Sequence, residues 1–180
     1  MQVTRPTPAH FGFFVFDIDK MAEFYLQVFR LTVTDQGLGP NFGNQLVFMS
    51  ASPDQHHQFV LSAGRKSEHS TVMQASFLLP NLDEMRAVNA RATALGATNM
   101  RPMNHGNAWS TYFHDPEGNM VEVYLDTPFH VSQPYGSPLD LSKTDEALIA
   151  ETHEMVRNDP SFMPMAQWQA QFPARPGGVR

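Results

Sequence analysis

One small motif occurs twice in this chain, and few architectures accommodate that. DIDKM (17–21) lies over NLDEM (81–85), Phe13 over Phe77 and Leu31 over Leu95, all at an offset of 64 residues. The later stretch PDQHHQFVL (53–61) lies over PEGNMVEVY (116–124) at an offset of 63. Matches in a fixed order at near-constant spacing mark an internal duplication.

Each copy reads as a strand, a helix and three strands. Residues 10–16 (HFGFFVF) form a short apolar run, a buried strand. Asp17 then offers a helix cap, and Met21, Phe24, Tyr25 and Val28 recur at helical spacing through residue 29. Strands are expected at 31–34, 45–50 and 57–62, with a turn at 52–55. After a polar linker at 64–70 the pattern restarts. A strand at 74–79 and a helix at 84–95 stopped by Gly96 lead to a hairpin of 110–113 and 120–125. Its turn is Asp115-Pro116-Glu117-Gly118, which combines an Asx cap, a preset φ and a closing glycine.

The expected fold is α+β. Two tandem βαβββ modules, 9–63 and 72–127, form a curved mixed-sheet cup within one domain spanning 1–180. A C-terminal helical extension, 128–180, lies outside the duplication and reads as a lid or an interface arm. Ser142 or Thr144 caps its first helix, a second helix is expected at 161–172, and 173–180 reads as frayed.

Composition narrows the function classes. The 180-residue chain carries a net charge of −6 and no basic cluster beyond Arg65-Lys66, which argues against nucleic acid and anionic membranes as partners. It has no cysteine, so thiolate chemistry, disulfides and Cys metal sites are excluded. No leader-like or membrane-length apolar run appears, and a cytoplasmic location is expected. Fourteen Phe and eleven Met suit a deep apolar pocket or a large sheet face. Assembly into a homodimer through the C-terminal extension is expected.

Glu122 is the residue to question first, because a carboxylate between valines in mid-strand is costly unless paired or metal-bound. The repeat places His10, Gln74, Glu122 and Phe59 at matching inward positions. An imidazole, a carboxamide oxygen and a carboxylate make a metal triad with open positions, as at a catalytic centre. The plain alternatives are a core histidine, a strand-edge amide and a salt-bridged glutamate. His57, placed on the same strand face as Phe59, is a candidate proton acceptor. Tyr112, across the hairpin from Glu122, and His105 are candidate donors to a substrate oxyanion.

With YFHDPEGNMVEVY (112–124) as its most specific part, the stretch 10–126 resembles the vicinal-oxygen-chelate superfamily of glyoxalases, bleomycin and fosfomycin resistance proteins and extradiol dioxygenases. The resemblance is strongest to single-domain dihydroxybiphenyl-type dioxygenases. It implies metal ligands at His10, Gln74 and Glu122, an acid/base role for His57, and substrate contacts from His105 and Tyr112. It implies a divalent metal, Fe(II) first, with Mn(II), Zn(II) or Ni(II) as alternatives. In the dioxygenase pattern a histidine stands where this chain has Gln74. The apolar Phe59 fits a three-ligand site, whereas glyoxalases place a fourth ligand near there. The resemblance implies ring cleavage of a catechol, a small aromatic substrate. A glyoxalase-type lyase or isomerase, or a non-catalytic binder of aromatic compounds, are the alternatives.

Overall fold

A computed structural model describes residues 8–40 and 43–171. The expected frayed end at 173–180, most of the N-terminal lead-in and two residues of the loop at 37–44 lie outside the described residues. The first module contains β1 (Phe11–Val15), α1 (Ile18–Phe29), β2 (Thr32–Leu38), β3 (Gln45–Ser50) and β4 (Phe59–Ala63). The second repeats it as β5 (Ala75–Leu78), α2 (Leu82–Ala94), β6 (Thr98–Asn104), β7 (Ala108–His114) and β8 (Met120–Asp126). The sheet orders are β1-β4-β3-β2 and, in the second module, β5-β8-β7-β6. In each, the first strand runs parallel to the last, which the intervening helix makes possible.

The two helices start the same way. The carboxylate of Asp17 accepts from Lys20 N at 3.0 Å, and the carboxamide oxygen of Asn81 accepts from Glu84 N at 2.8 Å. Met21, Phe24, Tyr25 and Val28 of α1, and Leu82, Met85, Val88 and Ala92 of α2, are buried against the sheets. Strand alternation follows from this. Phe13, Val15, Phe59, Leu61, Val121 and Val123 fill the helix-side core, so their strand neighbours face the bare side.

Several contacts hold the modules together, among them the Arg91 guanidinium of α2 donating to Val28 O of α1. Phe77 of β5 stacks on Phe29 of α1 at 3.9 Å and meets Phe11 at 6.1 Å. Tyr25 Oη donates to buried Asp115 at 2.8 Å. The Glu117 carboxylate accepts from Phe16 N and Asp17 N at 2.8 Å, so the hairpin turn of one module seats the helix start of the other. Arg65, nearly buried, lies 3.4 Å from the same carboxylate. The curved cup thus consists of two sheets that meet at β1 and β5 without ladder bonds between them.

The extension corrects an expectation. After β9 (Phe129–His130), β10 (Ser137–Pro138) adds to the β6 edge, and α3 (Asp145–Val156) follows, capped by Thr144. Thr152 of α3 accepts from Trp109 Nε1 and Asn104 Nδ2 at 2.9 Å, and Arg86 of α2 donates to Leu141 O at 3.0 Å. Helix α3 therefore lies beside α2 on the covered face of the second sheet and does not close the cup. Strand β11 (Met163–Pro164) pairs with β9, and α4 (Met165–Gln169) is shorter than the expected final helix. Among the described residues no helix is long and apolar enough to cross a membrane.

Candidate active site

The bare faces carry the polar side chains. In the parallel ladder of β5 and β8, Ser76 stands beside Glu122, and in that of β1 and β4, Gly12 stands beside Val60. Ser76 and Gly12 are repeat mates, so the mate of Glu122 is Val60 and not Phe59. Phe59 points the other way and packs on Tyr25 with ring centroids 4.4 Å apart. The turn-based alignment slipped by one residue, which exchanges faces in a strand. The position opposite Glu122 is apolar either way.

Glu122 is buried, yet it lacks no partners. Its Oε2 accepts from Gln74 Nε2 at 2.7 Å and from Ser76 Oγ at 2.6 Å, and its Oε1 accepts from Ser110 Oγ at 2.9 Å. Ser76 and Ser110 are therefore part of the site, and the sequence reading missed them. The available signal was spacing: Ser76 sits two residues from Gln74 on the same face, and Ser110 two residues from Tyr112.

His10 packs against His57 with ring centroids 4.3 Å apart, and His57 also meets Phe48 at 5.1 Å. The expectation that His57 lies in a strand is corrected, since β4 starts at Phe59 and His57 belongs to the preceding turn. Burial, then the imidazoles of His10 and His56, lower the His57 pKa from its usual value and keep the ring neutral. His56 Nδ1 and His57 Nδ1 are 3.0 Å apart. No contact among the described residues joins the His10–His57 pair to the Gln74–Glu122 pair.

Tyr112 pairs directly with Glu122 across the hairpin, as expected. Its oxygen lies 3.0 Å from His105 Nε2, and Arg101 stacks over its ring at 5.3 Å. Burial first, then Glu122, push the Tyr112 phenol up to about 12, so it stays protonated at working pH. A recess of 590 Å³ runs from Gly12 and Phe14 to the linker residues Lys66, His69 and Thr71. Another of 580 Å³ touches His105 and Tyr135.

The donor set suits a divalent cation on one condition. No three His, Asp or Glu side chains among the described residues are grouped to hold an ion, so any ion here depends on the Gln74 carboxamide. The oxygen of that group has no hydrogen-bond partner among the described residues, nor does either ring nitrogen of His10. An imidazole, an amide oxygen and a carboxylate fit a hard or borderline cation.

Comparison with known proteins agrees with the fold. Biphenyl-2,3-diol 1,2-dioxygenase 3 of Rhodococcus globerulus is 24% identical over 177 residues, covering 94% of this chain and 84% of that protein. The Listeria monocytogenes fosfomycin resistance protein FosX, solved with Mn(II) and sulfate, superposes with a TM-score of 0.53 at 20% identity, covering 66% of this chain and 91% of that one. A glyoxylase/bleomycin resistance protein/dioxygenase domain from Frankia sp. EAN1pec gives 0.58 at 17% identity, covering 69% and 100%. Residues 7–123 match the family directly, and with both βαβββ modules inside or overlapping that span the chain belongs to the Glyoxalase/Bleomycin resistance protein/Dioxygenase superfamily.

Proposed function

We propose that this chain is a metal-dependent dioxygenase of the extradiol type that cleaves the ring of a catechol-like aromatic compound. His10, Gln74 and Glu122 would hold the cation, with Fe(II) the first candidate. The observation that carries this reading is the buried Glu122 carboxylate, oriented by Ser76 and Ser110 on the bare face beside Gln74. The 24% identical biphenyl-diol dioxygenase supports the substrate class.

When bound, the cation supplies Lewis acidity toward a ligand hydroxyl. The protein's own contribution is positional. Phe14, Phe48 and Val60 offer the ring an apolar wall on the first module, and Glu122, Tyr112 and His105 face it with polar groups from the second. His57, kept neutral by its surroundings, takes the proton a ligand hydroxyl gives up. Gln74 must turn its amide over to present oxygen to a cation, since its nitrogen now donates to Glu122.

A non-catalytic aromatic binder is the second reading. It is favoured by the fact that Glu122 is already satisfied by three neutral donors without an ion. The test is oxygen uptake with a panel of catechols after anaerobic reconstitution with Fe(II). Uptake accompanied by a yellow ring-fission product supports the dioxygenase. Saturable binding of the catechols with no oxygen consumed supports the binder, and a lyase or isomerase would transform its substrate without oxygen.

A further inference from the structure

The segment 131–136 leaves the end of the second sheet and straps over the turn that carries His105. Gln133 Nε2 donates to His105 O at 2.8 Å and to Asn107 Oδ1 at 3.0 Å, while its Oε1 accepts from Tyr135 N at 3.0 Å. Tyr135 is held at its other end, where its hydroxyl donates to Met155 O of α3 at 3.0 Å. The strap also needs Gly106. At φ +76° a Cβ there would lie 2.5 Å from Val131 Cγ1 and 2.8 Å from Val156 Cγ1. These bonds deliver the Tyr135 carbonyl oxygen to His105 Nδ1 at 2.6 Å.

A carbonyl oxygen only accepts, so Nδ1 carries a proton. In the neutral ring Nε2 is then a bare lone pair, and the donor in reach is Tyr112 Oη at 3.0 Å. A phenol has one proton to give. Glu122, opposite Tyr112, is already supplied by Gln74, Ser76 and Ser110. Two acceptors face that proton, His105 Nε2 and the Glu122 carboxylate.

We propose that the strap fixes His105 as its Nδ1–H tautomer, so that Nε2 turns a lone pair into the site and takes a protonated hydroxyl, that of Tyr112 or of the ligand. Gln133 is the positioning residue, acting through the Tyr135 carbonyl. For His105 this differs from the expected role, since it accepts at Nε2 where a donor to an oxyanion was expected. The structural part stands independently of the reaction, and only its kinetic consequence rests on the dioxygenase reading.

The experiment is two-bond proton–nitrogen correlation spectroscopy on full-length protein labelled at the histidine ring nitrogens, with the His105 signals identified by their loss in His105→Asn. The expected wild-type pattern is a proton on Nδ1. Gln133→Ala should convert His105 to a mixture containing the Nε2–H form, and so should Gln133→Glu, which keeps an acceptor for Tyr135 N but sets a carboxylate oxygen against the His105 carbonyl. An Nε2–H ring in the wild type, or an unchanged ring in Gln133→Ala, overturns the proposal. After Fe(II) reconstitution, Gln133→Ala should lower kcat about tenfold with KM little changed, in line with losses seen when the hydrogen-bond partner of a working histidine is removed. A wild type that turns over no catechol defeats the dioxygenase reading, while the spectra still decide the tautomer.

Discussion

Gln74 decides what Glu122 can do. With the amide nitrogen turned inward the carboxylate is satisfied by a hydrogen bond, and with the oxygen turned inward the pair would offer the two oxygen donors that the proposed cation needs. Gln74→His should therefore raise affinity for Fe(II), because imidazole is the stronger donor, and Gln74→Leu should abolish it. Equilibrium dialysis against Fe(II) under nitrogen checks both. Tyr112 makes a separate prediction. Its pKa is raised from the ordinary tyrosine value of 10.0 to about 12, so the folded protein keeps a proton that the unfolded chain loses. That contribution is fully present below pH 10 and is lost as pH rises through about 12. Tyr112→Phe should lose less stability than wild type between those limits in thermal melts. The pairing of Gln74 with Glu122 was legible in outline, because the repeat puts the first and last strands of a module side by side. Ser76 and Ser110 were passed over, since their two-residue spacing from Gln74 and Tyr112 gains meaning only once a register places them beside a carboxylate. Phe59 was misplaced for the same reason: a loop match cannot set strand parity, and only the β1–β4 pairing does.

The turn 115–118 was read from its residue types alone, and that reading holds. Its second role was hidden, because nothing local says that Glu117 reaches the start of α1 about a hundred residues earlier. Glu117→Gln keeps an acceptor for those amides but leaves buried Arg65 without its counter-charge. A loss of roughly 3 kcal/mol in denaturant unfolding is expected, typical of breaking a buried ion pair. The extension gives the matching case. Thr152 accepts from two buried donors, Trp109 and Asn104. Thr152→Val should cost about 1–3 kcal/mol, the penalty for leaving buried donors unsatisfied. Its place on the covered face could not be read from the amphipathic pattern, which says that a helix packs and not where.

The duplication governs the molecule as a whole. Two copies of a βαβββ unit, each with one helix-covered face, place their remaining faces on a common side, and the first and last strands of each unit come to the middle. The copies have since diverged in opposite directions, the first lining its face with Phe14, Phe48 and Val60 and the second with Glu122, Tyr112 and Arg101. Such a division suits a ligand with an aromatic body and a polar edge. It also explains why the fold was more legible than the chemistry: a repeat fixes topology through many residues, while a single Gln in place of His changes what the centre can bind. The most direct measurement is metal content by mass spectrometry after reconstitution and desalting. About one divalent ion per chain is predicted for the wild type, and none for Glu122→Gln and Gln74→Leu, both still folded. An ion retained equally by all three proteins, or by none, would contradict the account.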